Sequence, residues 1–407
     1  MYKLKYKKIS KLKQILLQEP IIYSINARWK GWSQFRRFQQ EQIFYEERAR
    51  KQGFLSYFRN AKWIQEKLYE RIKTRRANVT SKVKGALHIF LAYYVSNWEA
   101  ILPEILKLFG RVTEFNWRKQ GFDDRSPYWL DYRDRMNEAM LAAFFDAHKL
   151  QPVDAVVGYL SGYNADPRIL RKMGESGAVI FNFCWDDKLG FKGKILGGRW
   201  TGPAALAPVV DLNLTNAPDS VIKYIVEGGL AMFWPEAAHP DIHKPYNVPF
   251  EFDVTFVGGK YGWRPWFISR LQKMGINVVT FGPGWENGSL SNEEMVKLYS
   301  RSRINLGFAG VGYSKKLMCL KGRDFEVPMS GGLYLTQDNP ELSLVYEVGK
   351  EIVTYKDAKD CAQKIKYLLD HPEEAEKIRK AGRERALKDH TWEKRFEQIF
   401  KMAGLIK

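Results

Sequence analysis

From residue 85 onward, short apolar runs alternate with helical patterns along most of the chain. Four such runs are ALHIFLAYYV (86–95), VDAVVGYL (153–160), AVIFNFCW (178–185) and VDLNLTN (210–216). Continuous apolar runs separated by helices are typical of parallel strands that are buried on both faces of a sheet. The pattern therefore predicts a doubly wound α/β domain over residues 85–235.

A proline-rich segment interrupts this pattern, which then restarts. Residues 233–249 contain four prolines and no hydrophobic periodicity, and this predicts an interdomain linker over 236–249. Further apolar runs and amphipathic helices predict a second α/β domain over 250–385, followed by a C-terminal helix over 386–407 that crosses back to the first domain. Because ligands of such sheets bind beyond the carboxyl ends of the strands, the loops at those ends are the places to look for chemistry.

Positive charge is concentrated at the start of the chain. The net charge is +19, and residues 1–84 hold 22 Lys and Arg against 6 Glu, a net charge of +16. We predict a mostly helical basic extension over 1–84, threaded with the aromatic residues Trp29, Trp32, Phe35, Phe38, Phe44, Tyr45, Phe54, Tyr57, Phe58, Trp63 and Tyr69. Such helices suit an anionic membrane surface. A helical hairpin packed on the next domain is the alternative; nucleic acid ranks third, because no recognition motif accompanies the charge.

The chain shows no sign of a membrane span or an oxidising compartment. No apolar run approaches the roughly 18 to 20 residues that a bilayer span needs, and no apolar segment of a secretory signal follows the basic start. The three cysteines are odd in number, far apart and not in metal-binding spacing. We therefore predict a cytoplasmic protein, peripheral on the inner face of the plasma membrane if the extension binds lipid, and no structural zinc.

The strand that ends in FVGG leads into a candidate phosphate site. Gly258 and Gly259 end this run, and Arg264 stands at the predicted start of a helix. Backbone amides, a helix N-terminus and a guanidinium together favour phosphate; a tight turn with a surface arginine is the alternative. The next loop, GPGWENG, has one residue too many between Gly284 and Gly288 for a dinucleotide fingerprint, but Gly284 and its neighbours could flank a base or a ribose.

The segment KGRDFEVPMSGG, which begins at Lys321, is the second candidate. We predict that Glu326 lies in the first turn of a short helix, which Gly331 and Gly332 close. A carboxylate that accepts two hydrogen bonds suits vicinal ribose hydroxyls, while Lys321 and Arg323 could neutralise phosphate. The alternative is a helix acid that simply pairs with Arg323.

Two acids follow a strand of the first predicted domain. Asp186 and Asp187 stand just past the run AVIFNFCW, where a carboxylate could deprotonate an acceptor hydroxyl or bind a donor sugar. The alternative is an acid that caps the following turn. The pair lacks the spacing of a metal-binding DxD motif. His239 and His243 fall in the linker, and histidine catalysis is not predicted.

Several motifs of the second domain occur together in the order of a known family. FVGG, YGWR, KGRDFEVPMSGGLYLTQDNPEL, VGKEIVTYKD and DHPEEAEKIRKAGRERALKDHTWEKRF resemble the donor half of CgeB-like glycosyltransferases, relatives of the glycogen-synthase-like group. The match covers roughly residues 250 to 400 and leaves 1–84 outside it. The resemblance implies the GT-B fold, an α/β architecture in which two Rossmann-like domains, the first for the acceptor and the second for the donor, face each other across a cleft.

The resemblance also implies roles for individual residues. In that group an acid followed by a glycine binds the donor ribose, which points to Glu326 and Gly331, and a basic residue at the pyrophosphate aligns with Arg264, with Arg323 as a second candidate. A further glutamate eight positions before the first acid often contacts the donor sugar; here that position is Met318. No cofactor and no metal are implied.

The expected activity is transfer of a sugar from a nucleoside-diphosphate-sugar donor to a glycan, lipid-linked or protein acceptor. Two alternatives remain open. A sugar-nucleotide epimerase of the same fold would use the same donor residues with an acid/base pair around the sugar. A non-catalytic protein that binds nucleic acid or another polymer would use the basic extension. Glu326 and Gly331 favour nucleotide binding, whereas Met318 leaves the sugar contact open.

Overall fold

The computed structural model describes residues 20–55, 59–76, 80–95 and 98–407. Parts of the predicted basic extension, including residues 1–19, Tyr57 and Phe58, lie outside the described residues. The chain divides into two compact units. The N-terminal unit comprises residues 41–237 and 390–407, and the C-terminal unit comprises the residues up to Gln40 together with 238–389.

The secondary structure alternates between strands and helices in both units. The helices are α1 (Pro20–Lys51), α2 (Ala61–Lys73), α3 (Leu102–Lys107), α4 (Trp129–Leu150), α5 (Pro167–Glu175), α6 (Asp187–Gly190), α7 (Val221–Val226), α8 (Arg264–Lys273), α9 (Asn292–Arg301), α10 (Gly322–Met329), α11 (Ala358–Asp370), α12 (Pro372–Asp389) and α13 (Trp392–Met402). The strands are β1 (Leu87–Tyr93), β2 (Gly110–Asn116), β3 (Ala155–Gly158), β4 (Val179–Cys184), β5 (Ile195–Leu196), β6 (Arg199–Trp200), β7 (Leu212–Thr215), β8 (Ala231–Phe233), β9 (Phe252–Val257), β10 (Val278–Phe281), β11 (Ser302–Leu306), β12 (Tyr334–Gln337) and β13 (Val353–Tyr355).

The N-terminal unit is built on a six-stranded parallel sheet in the order β2-β1-β3-β4-β7-β8. Every residue of β1, β3, β4 and β7 is buried, because helices cover both faces of a parallel sheet. In register, Val156 pairs with Ile180, and Phe181 pairs with Leu212. These four strands correspond to the four apolar runs, so the prediction of a parallel α/β sheet is confirmed.

The last helix belongs to this same unit. In α13, the ring of Trp392 lies 5.8 Å from that of Trp234, and the ring of Phe400 lies 5.8 Å from that of Phe181. The backbone N–H of Lys82 donates to the carbonyl of Leu405 at 2.9 Å. The C-terminal residues thus complete the hydrophobic core of the N-terminal unit.

The C-terminal unit is built on a five-stranded parallel sheet in the order β10-β9-β11-β12-β13. Val254 of β9 is aligned with Val278 on one side and with Ile304 on the other. Leu271 of α8 and Ile365 of α11 are fully buried in the same core. Because all five strands run in one direction, the loops that follow β9, β10 and β11 meet at one edge of this sheet.

Helix α1 contributes residues to both units, so the basic extension predicted as one segment is divided. In the C-terminal unit, a Cβ on Gly31 would lie 2.5 Å from the carbonyl oxygen of Tyr313, in the loop after β11. The side-chain oxygen of Gln34 accepts the N–H of Tyr313 at 2.8 Å. In the N-terminal unit, the hydroxyl of Tyr45 donates to Glu227 at 2.9 Å. The absence of a side chain at Gly31 therefore lets α1 contact the loop after β11 directly.

No helix within the described ranges is both long enough and apolar enough to cross a bilayer.

Candidate functional site

The turn between β9 and α8 forms the base of the site. Gly258 has a φ of +151° and Gly262 a φ of +65°, conformations that favour glycine. A Cβ on Gly282, which follows β10, would lie 2.6 Å from the carbonyl oxygen of Gly258. The indole N–H of Trp285 donates to that same oxygen at 2.8 Å. The turn after β9 and the loop after β10 are therefore held together at the carboxyl edge of the sheet.

Arg264 is the first residue of α8, and its guanidinium is held in place. Its Nη1 donates to the carbonyl of Gly259 at 3.0 Å, and its Cζ lies 4.1 Å from the ring centroid of Tyr261. Burial, together with the nearby charge of Arg323, lowers the pKa of Arg264 to about 10. A guanidinium fixed in this way has its remaining N–H groups oriented before any ligand arrives.

Arg323, near the start of α10, brings a second guanidinium to the same edge. If Gly258 carried a Cβ, that atom would lie 3.2 Å from Nη1 of Arg323, so the guanidinium lies against the turn. Both guanidiniums also lie over the Phe256 ring, with Cζ of Arg264 at 5.5 Å and Cζ of Arg323 at 5.6 Å from its centroid. The buried Nε of Arg323 has no hydrogen-bond partner among the described residues. Nor does any carboxylate of the described ranges form an ion pair with either arginine. Two partly buried like charges without an acidic partner favour an anionic ligand.

The helix α10 places its acids differently from the prediction. Asp324, not Glu326, lies in the first turn: its Oδ2 accepts the backbone N–H of Lys321 at 2.8 Å and its Oδ1 accepts the hydroxyl of Tyr334 at 2.7 Å. Burial raises the pKa of Asp324 to about 6. The prediction that Glu326 occupies the first turn is wrong. The helix begins at Gly322, and the hydrogen bond from Lys321 to Asp324 closes its first turn, so Glu326 falls in the second turn. Gly331, with a φ of +72°, follows the end of the helix.

Glu326 is partly buried and has a free carboxylate. Its side chain is 20% exposed, and it accepts no hydrogen bond from the residues that the structure describes; its Oε1 lies 4.0 Å from Nε2 of His243. Burial raises the pKa of Glu326, and the charge of Arg323 opposes that rise. Two acceptor oxygens are thus available one helical turn from Arg323.

His243 lies beside Glu326 and has no role predicted from the sequence. The ring is buried, and its Nδ1 accepts the backbone N–H of His239 at 3.0 Å, so the neutral imidazole carries its proton on Nε2, toward Glu326. Burial lowers the pKa of His243 to about 4. Only its position in a segment rich in proline and histidine could have drawn attention to it, because the contact depends on the tertiary fold.

The remaining predicted donor residues lie nearby but are less directly placed. The ammonium of Lys321 lies 3.0 Å from Sγ of Cys319, so its hydrogen bond is to the protein. Gly332 lies in the turn between α10 and β12, where a Cβ would be 2.7 Å from Nδ2 of Asn305. Gly284 lies in the loop after β10. The structure thus gathers Gly258, Gly259, Arg264 and Arg323 at one point, while the ammonium of Lys321 is hydrogen-bonded to Cys319.

In the N-terminal unit the two predicted catalytic acids have different environments. Asp186 is exposed, and its Oδ2 lies 3.4 Å from the hydroxyl of Tyr159. Asp187 is completely buried and accepts a hydrogen bond from the hydroxyl of Tyr224 at 2.9 Å, and burial raises its pKa to about 6. An acid that must touch an acceptor hydroxyl needs access to it. The expectation for Asp187 is therefore corrected, because its carboxylate is sealed in the core.

Among the described residues, no group of three or more His, Cys, Asp or Glu side chains is arranged to hold a metal ion.

Comparisons with known proteins concern the family and the fold. Residues 264–401 match the family described as Glycosyl transferase-like. A sucrose-phosphate synthase from Thermosynechococcus elongatus is similar in structure, with a TM-score of 0.54, 12% identity, and coverage of 78% of this chain and 98% of that one. HepE from Anabaena, solved with UDP-glucose, gives a TM-score of 0.53 at 9% identity, and its complex with UDP gives 0.51 at 11%; each covers 78% of this chain and 99% of HepE. No curated protein sequence matches significantly.

At such low identity the structural matches establish the fold, which is GT-B. With the family match over the C-terminal unit, the protein is a glycosyltransferase, an enzyme that transfers a sugar from a nucleotide-sugar donor.

Proposed function

We propose that this chain is a CgeB-like glycosyltransferase whose C-terminal unit holds the diphosphate of the donor between Arg264 and Arg323. The observation that carries the proposal is the pair of guanidiniums without an acidic partner beside the turn of Gly258 and Gly259. Bound diphosphate would form the direct ion pairs with these guanidiniums that the described carboxylates do not form. UDP is the first candidate nucleotide, because HepE, which shares the fold, was solved with UDP and with UDP-glucose.

Glu326 is proposed to bind the ribose. Its carboxylate has no protein hydrogen-bond donor among the described residues, and two vicinal hydroxyls would each donate to one of its oxygens. The Nε2 of His243 lies 4.0 Å from this carboxylate, beyond hydrogen-bond distance. Gly331, directly after the helix, adds no side chain at this point.

The chemistry follows from where charge develops. As the bond from the sugar to the diphosphate breaks, negative charge accumulates on the leaving phosphate oxygens. Guanidiniums already oriented toward that position stabilise the transition state more than the ground state. In the N-terminal unit, Asp186 is the acid proposed to deprotonate an acceptor hydroxyl or to contact the donor sugar. The acceptor is proposed to be a glycan, a lipid-linked sugar or a protein, and the proposal requires no cofactor or metal.

The domain roles and the cellular location complete the proposal. Residues 85–235 would bind the acceptor and 250–385 the donor. The protein is proposed to be cytoplasmic and held at an anionic membrane surface through α1. Trp29 and Trp32 on this helix are 64% and 61% exposed, with exposed arginines beside them. Exposed indoles next to cations are typical of helices that lie at lipid headgroups.

Thermal unfolding with UDP, GDP, dTDP and CDP tests the donor proposal. A nucleotide at about 100 times its dissociation constant should stabilise the protein by about 2.7 kcal/mol. The Glu326→Ala variant should lose much of this shift, whereas Glu384→Ala, at an exposed acid of α12, should keep it. A protein that shifts with none of the four nucleotides would contradict the proposal, and a Glu326→Ala variant with the full shift would remove the role of Glu326.

A further inference from the structure

The N-terminal unit contains a second pair of arginines that no catalytic role explains. Arg133, on α4, is 5% exposed, and its Nε and Nη1 are buried without a hydrogen-bond partner in the described part of the chain. Arg199, in β6, also has a buried Nη2 that lacks a partner among these residues. Each such N–H has lost its hydration without gaining a protein acceptor.

The acids around this pair do not balance its charge. Asp166 is shared, because it lies 3.0 Å from Nη1 of Arg199 and 2.7 Å from Nη2 of Arg168. Asp134 reaches only to 3.9 Å from Nε of Arg133, and its side chain is 76% exposed. Burial, together with the charge of Arg133, lowers the pKa of Arg199. The cluster formed by Arg133 and Arg199 therefore has two guanidiniums and one buried carboxylate, Asp166, which also pairs with the exposed Arg168 outside the cluster.

The cluster lies at the carboxyl edge of the sheet, where acceptors are expected. Two hydrogen bonds join the loop after β3 to the segment that ends the β5–β6 hairpin, and this hairpin follows β4. The N–H of Gly162 donates to the carbonyl of Gly202 at 3.1 Å, and the N–H of Tyr163 donates to the carbonyl of Thr201 at 3.0 Å. Asp186 also follows β4. At the hairpin tip, a Cβ on Gly197 would lie 2.7 Å from Nη2 of Arg133. Glycine at the tip lets the hairpin pass directly over the guanidinium.

A buried arginine with free donors is costly for folding, since apolar replacement of buried charges is often neutral or stabilising. A fold that keeps such a group uses it for something other than stability. We infer that Arg133 and Arg199 form a subsite for an oxyanion of the acceptor, either a phosphate ester or a carboxylate. The assignment of this oxyanion to the acceptor rests on the proposed glycosyl transfer, but the anion site itself does not.

Calorimetric titration of the full chain at constant ionic strength tests the subsite. Glycerol 3-phosphate probes a phosphate ester and glucuronate a carboxylate, each with saturating UDP. Each probe is titrated again without UDP into an Arg264→Gln/Arg323→Gln variant, so that the donor arginines cannot bind it. We expect at least one probe to bind in both arms. Arg133→Met and Arg199→Met should each weaken that binding about tenfold or more, as expected for charge-assisted hydrogen bonds.

Arg168→Met is the matched control, because this arginine contacts the same Asp166 but its side chain is 82% exposed. It should bind the probe as tightly as the wild type. The melting temperature of Arg133→Met without ligand should equal or exceed that of the wild type. Failure of both probes to bind, or undiminished binding by Arg133→Met and Arg199→Met, would overturn the inference. Probe binding without UDP binding would instead overturn only the donor proposal.

Discussion

Replacement of Arg323 by methionine is the perturbation that separates binding from folding at the donor site. The methionine side chain can retain the apolar contact with Phe256, over whose ring the guanidinium lies at 5.6 Å. It removes a positive charge that lies near Arg264 and that forms no direct ion pair within the described ranges, although Glu326 and Asp324 of the same helix attract it. Arg264 itself should stay in place, because Gly259 and Tyr261 hold it.

The size of the effect follows from the hydrogen bond to diphosphate that the substitution removes. A hydrogen bond to a charged group contributes about 1.5 to 3 kcal/mol, so without the Arg323 guanidinium nucleotide binding should weaken about 10- to 150-fold. At a UDP concentration of about 100 times the wild-type dissociation constant, ligand stabilisation should be about 2.7 kcal/mol. A loss of about 30-fold in affinity would leave about 0.9 kcal/mol at the same concentration.

The assay is thermal unfolding of both proteins with and without UDP, with the dissociation constants measured calorimetrically. Each protein's unfolding without UDP is its own reference, because the substitution removes both the repulsion from Arg264 and the attraction of Glu326 and Asp324. With UDP, Arg323→Met should gain much less stability. Arg270→Met, at an exposed position of α8, should behave as the wild type. Equal UDP affinity for Arg323→Met and wild type would refute the assignment of the diphosphate to this pair.

Four further outcomes are expected. Asp186→Asn should slow sugar transfer by about 10²-fold or more with unchanged UDP affinity. Asp187→Asn should reduce the pH dependence of unfolding: since the folded-state pKa of Asp187 is raised from 3.8 to about 6, its ionisation makes wild-type stability fall as pH rises through that interval. Asp324, with the same raised pKa, should keep the rest of that dependence. Gly31→Leu should cost about 1 to 3 kcal/mol of unfolding free energy in chemical denaturation, because the new side chain meets the loop after β11; unchanged stability would contradict the close contact. Trp29→Ser with Trp32→Ser should reduce sedimentation with phosphatidylserine vesicles but leave UDP affinity unchanged, and undiminished sedimentation would exclude these indoles as the lipid contact.

The strands that could be predicted are those whose environment is uniform. β1, β3, β4 and β7 are buried along their whole length, so apolar residues dominate β1, β3 and β4, whereas β7 (LNLT) also buries Asn213 and Thr215. β2 lies at the edge of the sheet and is mostly only partly buried, so its sequence GRVTEFN shows no comparable run. β8 has three residues, too few for any period to emerge.

Site residues were predictable where a local pattern places them. Gly258 and Gly259 follow a strand and Arg264 begins the next helix, and this local pattern by itself favours phosphate. The position of Glu326 within its helix depended on where α10 begins, which the hydrogen bond between Asp324 and Lys321 decides. The contact of His243 with Glu326 spans 83 residues of sequence and follows no periodicity. Asp186 is exposed and Asp187 is buried, although the two are adjacent in the chain, and no local pattern distinguishes them.

The most direct test of the account is a comparison of UDP with 2′,3′-dideoxy-UDP in wild type and Glu326→Ala, with each dissociation constant measured calorimetrically. If Glu326 binds the ribose hydroxyls, wild type should bind the dideoxy nucleotide about tenfold or more weakly than UDP. Glu326→Ala should bind the two nucleotides equally. An equal preference for UDP in both proteins would contradict the proposed donor site at this carboxylate.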